Sequence, residues 1–168
     1  MGGRCADTGV KSKALVAILM LVNAAPLWGS DCADNSVDLR LATGGSARFG
    51  VEVVDTPQTR ARGLMYREKM TASAGMLFIY EQPQRAVFWM KNTLIPLDMI
   101  FADATGVVTH VHANAIPQDE TGIDGGEGVL AVLEINAGLA GRLGITPGAV
   151  LRHPKLDQRT AAWACSPR

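Results

Sequence analysis

Trp89, Lys91, Asn92 and Asp98 lie close together in the stretch Arg85 to Phe101, RAVFWMKNTLIPLDMIF, and offer a ring, a cation, an amide and a carboxylate in an apolar run. If the first part of this stretch is a strand, side chains alternate between its faces. Val87, Trp89 and Lys91 then share one face, and Phe88, Met90 and Asn92 share the other. An amphipathic ring beside a cation suits a polar ligand with an apolar face, so this strand could line a groove. The same residues could instead form a second core layer, with the Lys91 stem covering Trp89.

Asp98 follows Pro96 and sits among Leu97, Met99, Ile100 and Phe101. A carboxylate there needs a hydrogen-bonded partner. The candidates are the backbone amides of a turn at Lys91 to Thr93, or Arg62, Arg67 or Lys91. Glu134, between Leu133 and Ile135, poses the same question on a separate strand. If Asp98 and Glu134 face one cavity, they form the carboxylate pair that glycoside hydrolysis uses.

Metal binding is a second alternative. His110 and His112 in VTHVHAN are two apart on a strand, so both imidazoles project from one face, and His153 ends another strand. Two such histidines with a third ligand could hold zinc or copper, and Met65, Met70, Met76, Met90 and Met99 supply thioethers for Cu(I). Methionine is more often core filling. Nucleophilic catalysis has less support: the chain has no Gly-x-Ser-x-Gly elbow, phosphate loop or dinucleotide fingerprint, and no cofactor is implied. The glycine-rich acidic loop Pro117 to Gly128 does not match a calcium loop. It reads as a mobile solvated segment that could act as a flap over the Trp89 face.

The elements that must position these residues are mostly short strands. Val37 to Leu41 and Arg48 to Val54 alternate apolar and polar residues around Gly44-Gly45, which predicts a hairpin. Asp55-Thr56-Pro57 predicts a helix start, with Thr56 as cap and the helix running to about Met65, burying Ala61, Leu64 and Met65. Further strands are expected at Met76 to Tyr80, Ala86 to Lys91, Leu97 to Ala102, Val107 to Ala113, Gly128 to Ile135 and Ala149 to Arg152. A short helix is expected at Ala137 to Leu143 with Asn136 as its cap. Many short strands and two brief helices predict a mainly β (α+β) fold, an antiparallel sandwich or curled barrel.

The start of the chain reads as an export signal. Arg4, Lys11 and Lys13 precede the apolar run Ala14 to Val22, which is too short for a stable membrane span. Cleavage after Ala24 would leave a linker at 25–36, a domain at 37–153 and a tail at 154–168, in a periplasmic or secreted protein with no membrane span. The whole chain has 16 basic and 16 acidic residues; removing Arg4, Lys11, Lys13 and Asp7 leaves 13 against 15. With no basic stripe, nucleic acid is not an expected partner. A ligand or protein partner of unknown identity is, and the oligomeric state is left open. Cys5 would leave with the signal. Cys32 and Cys165 then lie near opposite ends of the mature chain, and an oxidising compartment predicts a disulfide between them.

Four segments carry a resemblance to a known family: RGLMYREKM from Arg62, GMLFIY from Gly75, the Arg85 to Phe101 stretch, and VLEINAG from Val132. Together they resemble the DUF192 (UPF0127) family of small prokaryotic proteins, over roughly Leu39 to His153. The resemblance implies the same mainly β architecture and brings no established activity. The leading expectation is therefore a non-catalytic binding or accessory module. Its groove would be formed by Trp89, Lys91, Asn92 and Asp98, with Arg67 and Glu134 as polar supports.

Overall fold

The structure, a computed structural model, describes residues 1–3 and 32–166. Apart from the first three residues, the signal segment expected at 1–24 lies outside the described residues, as does most of the 25–36 linker.

The chain begins its fold with β1 (Ser36–Arg40) and β2 (Ser46–Val54), the hairpin that the Gly44-Gly45 turn predicts, in antiparallel register with Val37 opposite Phe49. Helix α1 (Pro57–Arg62) follows. Thr56 caps it as expected, its hydroxyl accepting from the Thr59 amide while the Thr59 side chain accepts from the Thr56 amide. The helix stops at Gly63, three residues before Tyr66, and buries none of its own residues. It serves as a crossover, because β3 (Ala74–Gln84) pairs with β2 in parallel and parallel neighbours cannot be joined by a tight turn.

The remaining strands are β4 (Val87–Phe88), β5 (Leu97–Asp103), β6 (Val108–Ala115), β7 (Ile123–Asp124), β8 (Val129–Asn136) and β9 (Val150–Arg152), with α2 (Leu139–Leu143) between the last two. Seven of them form one mixed sheet in the order β6-β5-β8-β3-β2-β1-β9, and β4 pairs with β7 in a separate two-stranded ribbon. Apart from β2 with β3, the neighbours in the large sheet run antiparallel. The sheet curls until its two edges meet at one end. There Val108 donates to the Ala149 carbonyl, and Leu151 donates to that of Gly106, each at 2.8 Å. Gly106 is required at this seam: its φ is +84°, and a Cβ there would strike the Leu151 carbonyl oxygen. The result is a mostly β, half-barrel domain with two short helices.

Each face of the sheet has its own core. Val37, Leu39, Phe49, Leu77, Ile100, Leu133, Ile135 and Leu151 fill the inside of the curl. On the other face Met76, Phe78, Met90, Leu97, Met99, Phe101 and Val132 pack beneath the β4–β7 ribbon and the segment after α1. The strand β8 lies between β5 and β3 and is apolar to both sides, so Glu134 in its middle is an exception that calls for a reason.

Cys32 and Cys165 are joined in the expected disulfide, with Cα atoms 5.7 Å apart across 133 residues. The tail is held further along by Trp163, whose ring lies 4.1 Å from the Arg152 guanidinium and 5.1 Å from that of Arg40. Arg152 and Arg48 both pair with Asp38. Burial alone would raise the Asp38 pKa, but hydrogen bonds from the two guanidiniums outweigh it and hold the carboxyl below its ordinary range. Among the described residues, no helix is long and apolar enough to cross a membrane.

Candidate functional site

The outer face of the sheet carries an open cleft of about 320 Å³ between α1, the segment after it, and the β4 region. Its floor is the shared face of β3 and β8. Phe78 and Tyr80 project from β3 on the same side as Met76, and the register opposes Met76 to Glu134 and Phe78 to Val132. One wall is Gly63, Leu64 and Met65; the other is Val87, Phe88 and Trp89, with Lys91 and Thr93 beyond. Phe88 anchors that second wall, packing edge-on against Phe78 at 5.1 Å and Phe101 at 5.7 Å. Trp89 is thereby left 50 % exposed, and Lys91 Nζ lies 5.2 Å from its ring centroid and 3.8 Å from Glu120.

Glu134 is the cleft's one acidic lining residue. It is only 4 % exposed, flanked in register by Met76 on β3 and Met99 on β5, and it makes no hydrogen bond or ion pair among the described residues. Burial therefore acts on it without compensation and pushes its pKa up to about 8. At neutral pH the group is a carboxylic acid, able to donate one hydrogen bond and accept another. Tyr80 beside it is raised as well, first by burial, an effect that the Arg60 cation offsets in part. The Arg60 guanidinium lies 4.9 Å over the Tyr80 ring, and its donors are taken by the carbonyls of Asp55 and Ile79 and both oxygens of Glu81. Arg60 is thus the bolt between α1 and β3.

Of the residues expected to form the groove, Trp89, Lys91 and Glu134 meet at this cleft. Arg67, Asn92 and Asp98 do not. Arg67 makes a two-pronged pair with Glu52 at 2.6 and 2.8 Å and lines a neighbouring cleft with Tyr66 and Met76. Asn92 is a turn residue with φ of +55°, its carbonyl accepting from Tyr66. Asp98 points to the opposite face of the sheet. It opposes Ile135 rather than Glu134, so the two carboxyls lie on different sides of one layer and the hydrolytic pair does not form.

Asp98 has partners, though not those expected. Its Oδ1 accepts from the Asn114 and Gly138 amides at 2.8 and 3.0 Å, and its Oδ2 from the Ala140 amide at 2.8 Å. It thereby caps α2, whose own N-cap residue, Gly138, has no side chain to do so. Asn136 is not the cap; its amide donates to the carbonyls of Met70 and Thr71.

The metal alternative also changes. Among the described residues, no three His, Cys, Asp or Glu side chains gather as a metal site would require. His110 and His112 lie on the edge strand β6, and the His110 ring packs on Phe101 at 5.7 Å. His153 is buried with both ring nitrogens in use: Nδ1 accepts from the Lys155 amide, so Nε2 donates to the Asp34 carbonyl. Met76, Met90 and Met99 are core filling. The acidic loop is a strap rather than a flap. Its β7 pairs with β4, Met90 donates to the Asp119 carbonyl, and Gly125 sits so close to Phe101 that a Cβ would collide with the ring.

The family model DUF192, described as an uncharacterized ACR, matches residues 39–153. The chain belongs to the DUF192 family. Two solved structures are similar over nearly their whole length. One, from Sinorhizobium meliloti 1021, is a protein suggested to be a transcription regulator. It shares 42% identity over 73% of this chain and 95% of its own, with a TM-score of 0.69. The other, a protein of unknown function from Novosphingobium aromaticivorans DSM 12444, shares 39% identity over 86% of this chain and 99% of its own, with a TM-score of 0.67. No curated protein matches the chain.

The four segments that carry the DUF192 resemblance converge on the cleft. They supply every lining residue except Arg60 and Ala61: Arg62 to Met65 from the first, Phe78 and Tyr80 from the second, Val87, Phe88, Trp89, Lys91 and Thr93 from the third and Glu134 from the fourth. Tyr80, Arg62 and Leu64 were not among the residues singled out from the sequence as a site. Period-two counting from Met76 does place Tyr80 on the Phe78 face, but nothing local says that β8 would bring Glu134 beside it.

Proposed function

We propose that this DUF192 protein is a non-catalytic binding or accessory module, exported from the cytoplasm, that holds a ligand in the cleft beneath Trp89. One observation carries the reading: Glu134, only 4 % exposed and without a hydrogen-bond partner among the described residues, keeps its carboxyl in touch with solvent at a concave surface whose rim exposes a large ring. A carboxyl desolvated between Met76 and Met99 costs folding stability and returns nothing to the empty protein. Such costs recur at functional sites, where a residue suited to a ligand is kept against the interest of the fold. Glu134 is the one carboxyl on the cleft's lining, with no second acid to complete a hydrolytic pair, and this favours binding over hydrolysis. Export is supported by the basic start and apolar run ahead of Ala24 and fits the Cys32–Cys165 disulfide.

The test is to map a mixed panel of ring-containing fragments, anionic, neutral and cationic, by amide shifts in solution. The Gly63, Leu64, Trp89 and Glu134 signals should move first, and Trp89→Ala should remove the response while leaving the melting temperature almost unchanged. Fragments that scatter over the surface, or settle only in the neighbouring cleft at Arg67, would refute the reading.

A further inference from the structure

The charges around the cleft are one-sided. Arg62, exposed at the end of α1, lines it and makes no side-chain hydrogen bond or ion pair among the described residues. Lys91 is held only loosely, 3.8 Å from Glu120. Arg60 adds a third cation that is already committed to Glu81. Against these stands Glu134, which burial keeps protonated at neutral pH and therefore without charge. The apolar part of the lining includes Leu64, Phe78, Phe88 and Trp89.

We propose that the cleft takes a small organic carboxylate whose flat apolar body lies against Phe88 and Trp89. Its anion is held by Arg62 and Lys91, and the Glu134 carboxyl lends it a hydrogen bond. This rests on the reading of the cleft as the functional site. Ligand-sized pockets start at about 300 Å³, so a cleft of about 320 Å³ suits one compact ring rather than a polymer. A protonated acid can donate to a carboxylate, and guanidinium and ammonium groups bind it at close range. A cationic ligand would face two cations with donors to spare and would have to ionise Glu134 in an apolar setting before gaining any ion pair.

Three probes of similar shape separate these cases at pH 7 on the full chain: phenylacetate, its neutral amide phenylacetamide, and cationic phenethylamine. Titrations followed by the Trp89 indole and Gly63 amide signals should give phenylacetate an affinity about tenfold above either of the others, the scale of one charge-assisted hydrogen bond. Arg62→Gln and Lys91→Gln should each erode that preference, and Glu134→Gln, which keeps a donor, should retain more binding than Glu134→Met. If phenethylamine or phenylacetamide binds in the cleft as well as phenylacetate does, the carboxylate assignment is overturned and the cleft stands as a binding site. If phenylacetate keeps its preference in both Arg62→Gln and Lys91→Gln, the assigned anion position is wrong. If none of the three moves these signals at millimolar concentration, the ligand class and the cleft reading fall together.

Discussion

Replacing Glu134 with glutamine should remove a pH-dependent loss of stability that the wild-type protein carries. In the unfolded chain the carboxyl titrates near its ordinary value of 4.5, and in the folded protein burial raises this to about 8. Below the lower value both states are protonated and the group is neutral towards folding. Between the two values the unfolded chain has released the proton while the native state keeps it, so the native state binds more protons and stability falls as pH rises. Each pH unit in that window costs about 1.4 kcal/mol, and the loss levels off above the folded pKa. From pH 5 to pH 8 this gives about 3 to 4 kcal/mol, a large share of the 5 to 15 kcal/mol typical of a domain. Urea unfolding of wild type and Glu134→Gln at intervals from pH 5 to pH 8 isolates the effect, because other titrating groups, His153 included, act in both proteins. Wild type should lose stability relative to the variant by that amount as pH rises. Two parallel curves would refute the claim that Glu134 is buried without a partner.

Asp98→Asn should lower stability by about 3 kcal/mol in urea, since one amide oxygen cannot serve three backbone donors, whereas Trp89→Ala should cost under about 1 kcal/mol because the ring is half exposed. Equal losses in the two variants would mean that Trp89 is core. Asp38→Asn leaves Arg48 and Arg152 facing a neutral group, and chemical denaturation should show a loss of about 3 to 5 kcal/mol. Reduction of the Cys32–Cys165 bridge should lower stability by about 2 to 5 kcal/mol, measured by melting with and without reductant, and should free two alkylatable thiols.

What the sequence made legible was local. The β1–β2 hairpin followed from alternation around Gly44-Gly45, and the start of α1 from Thr56-Pro57, because both signals act within a few residues. The Cys32–Cys165 bridge followed from compartment and chain ends rather than from geometry. Asp98 and Glu134 could be recognised as buried acids, but which side of the sheet each faced depended on the register between β5 and β8, strands about thirty residues apart. That register separates them, sends Asp98 to α2 and leaves Glu134 to the cleft. The parallel pairing of β2 with β3 was likewise hidden, since nothing in α1 announces that it crosses over.

We propose the cleft between residues 63–65 and Trp89 as the place where this protein meets its ligand. A crystal structure after soaking with phenylacetate tests it most directly. The ring should lie against Trp89 and Phe88, with its carboxylate within hydrogen-bond distance of the Glu134 carboxyl. A cleft left empty by phenylacetate, phenylacetamide and phenethylamine alike, or a ring seated only beside Arg67 and Tyr66, would overturn it.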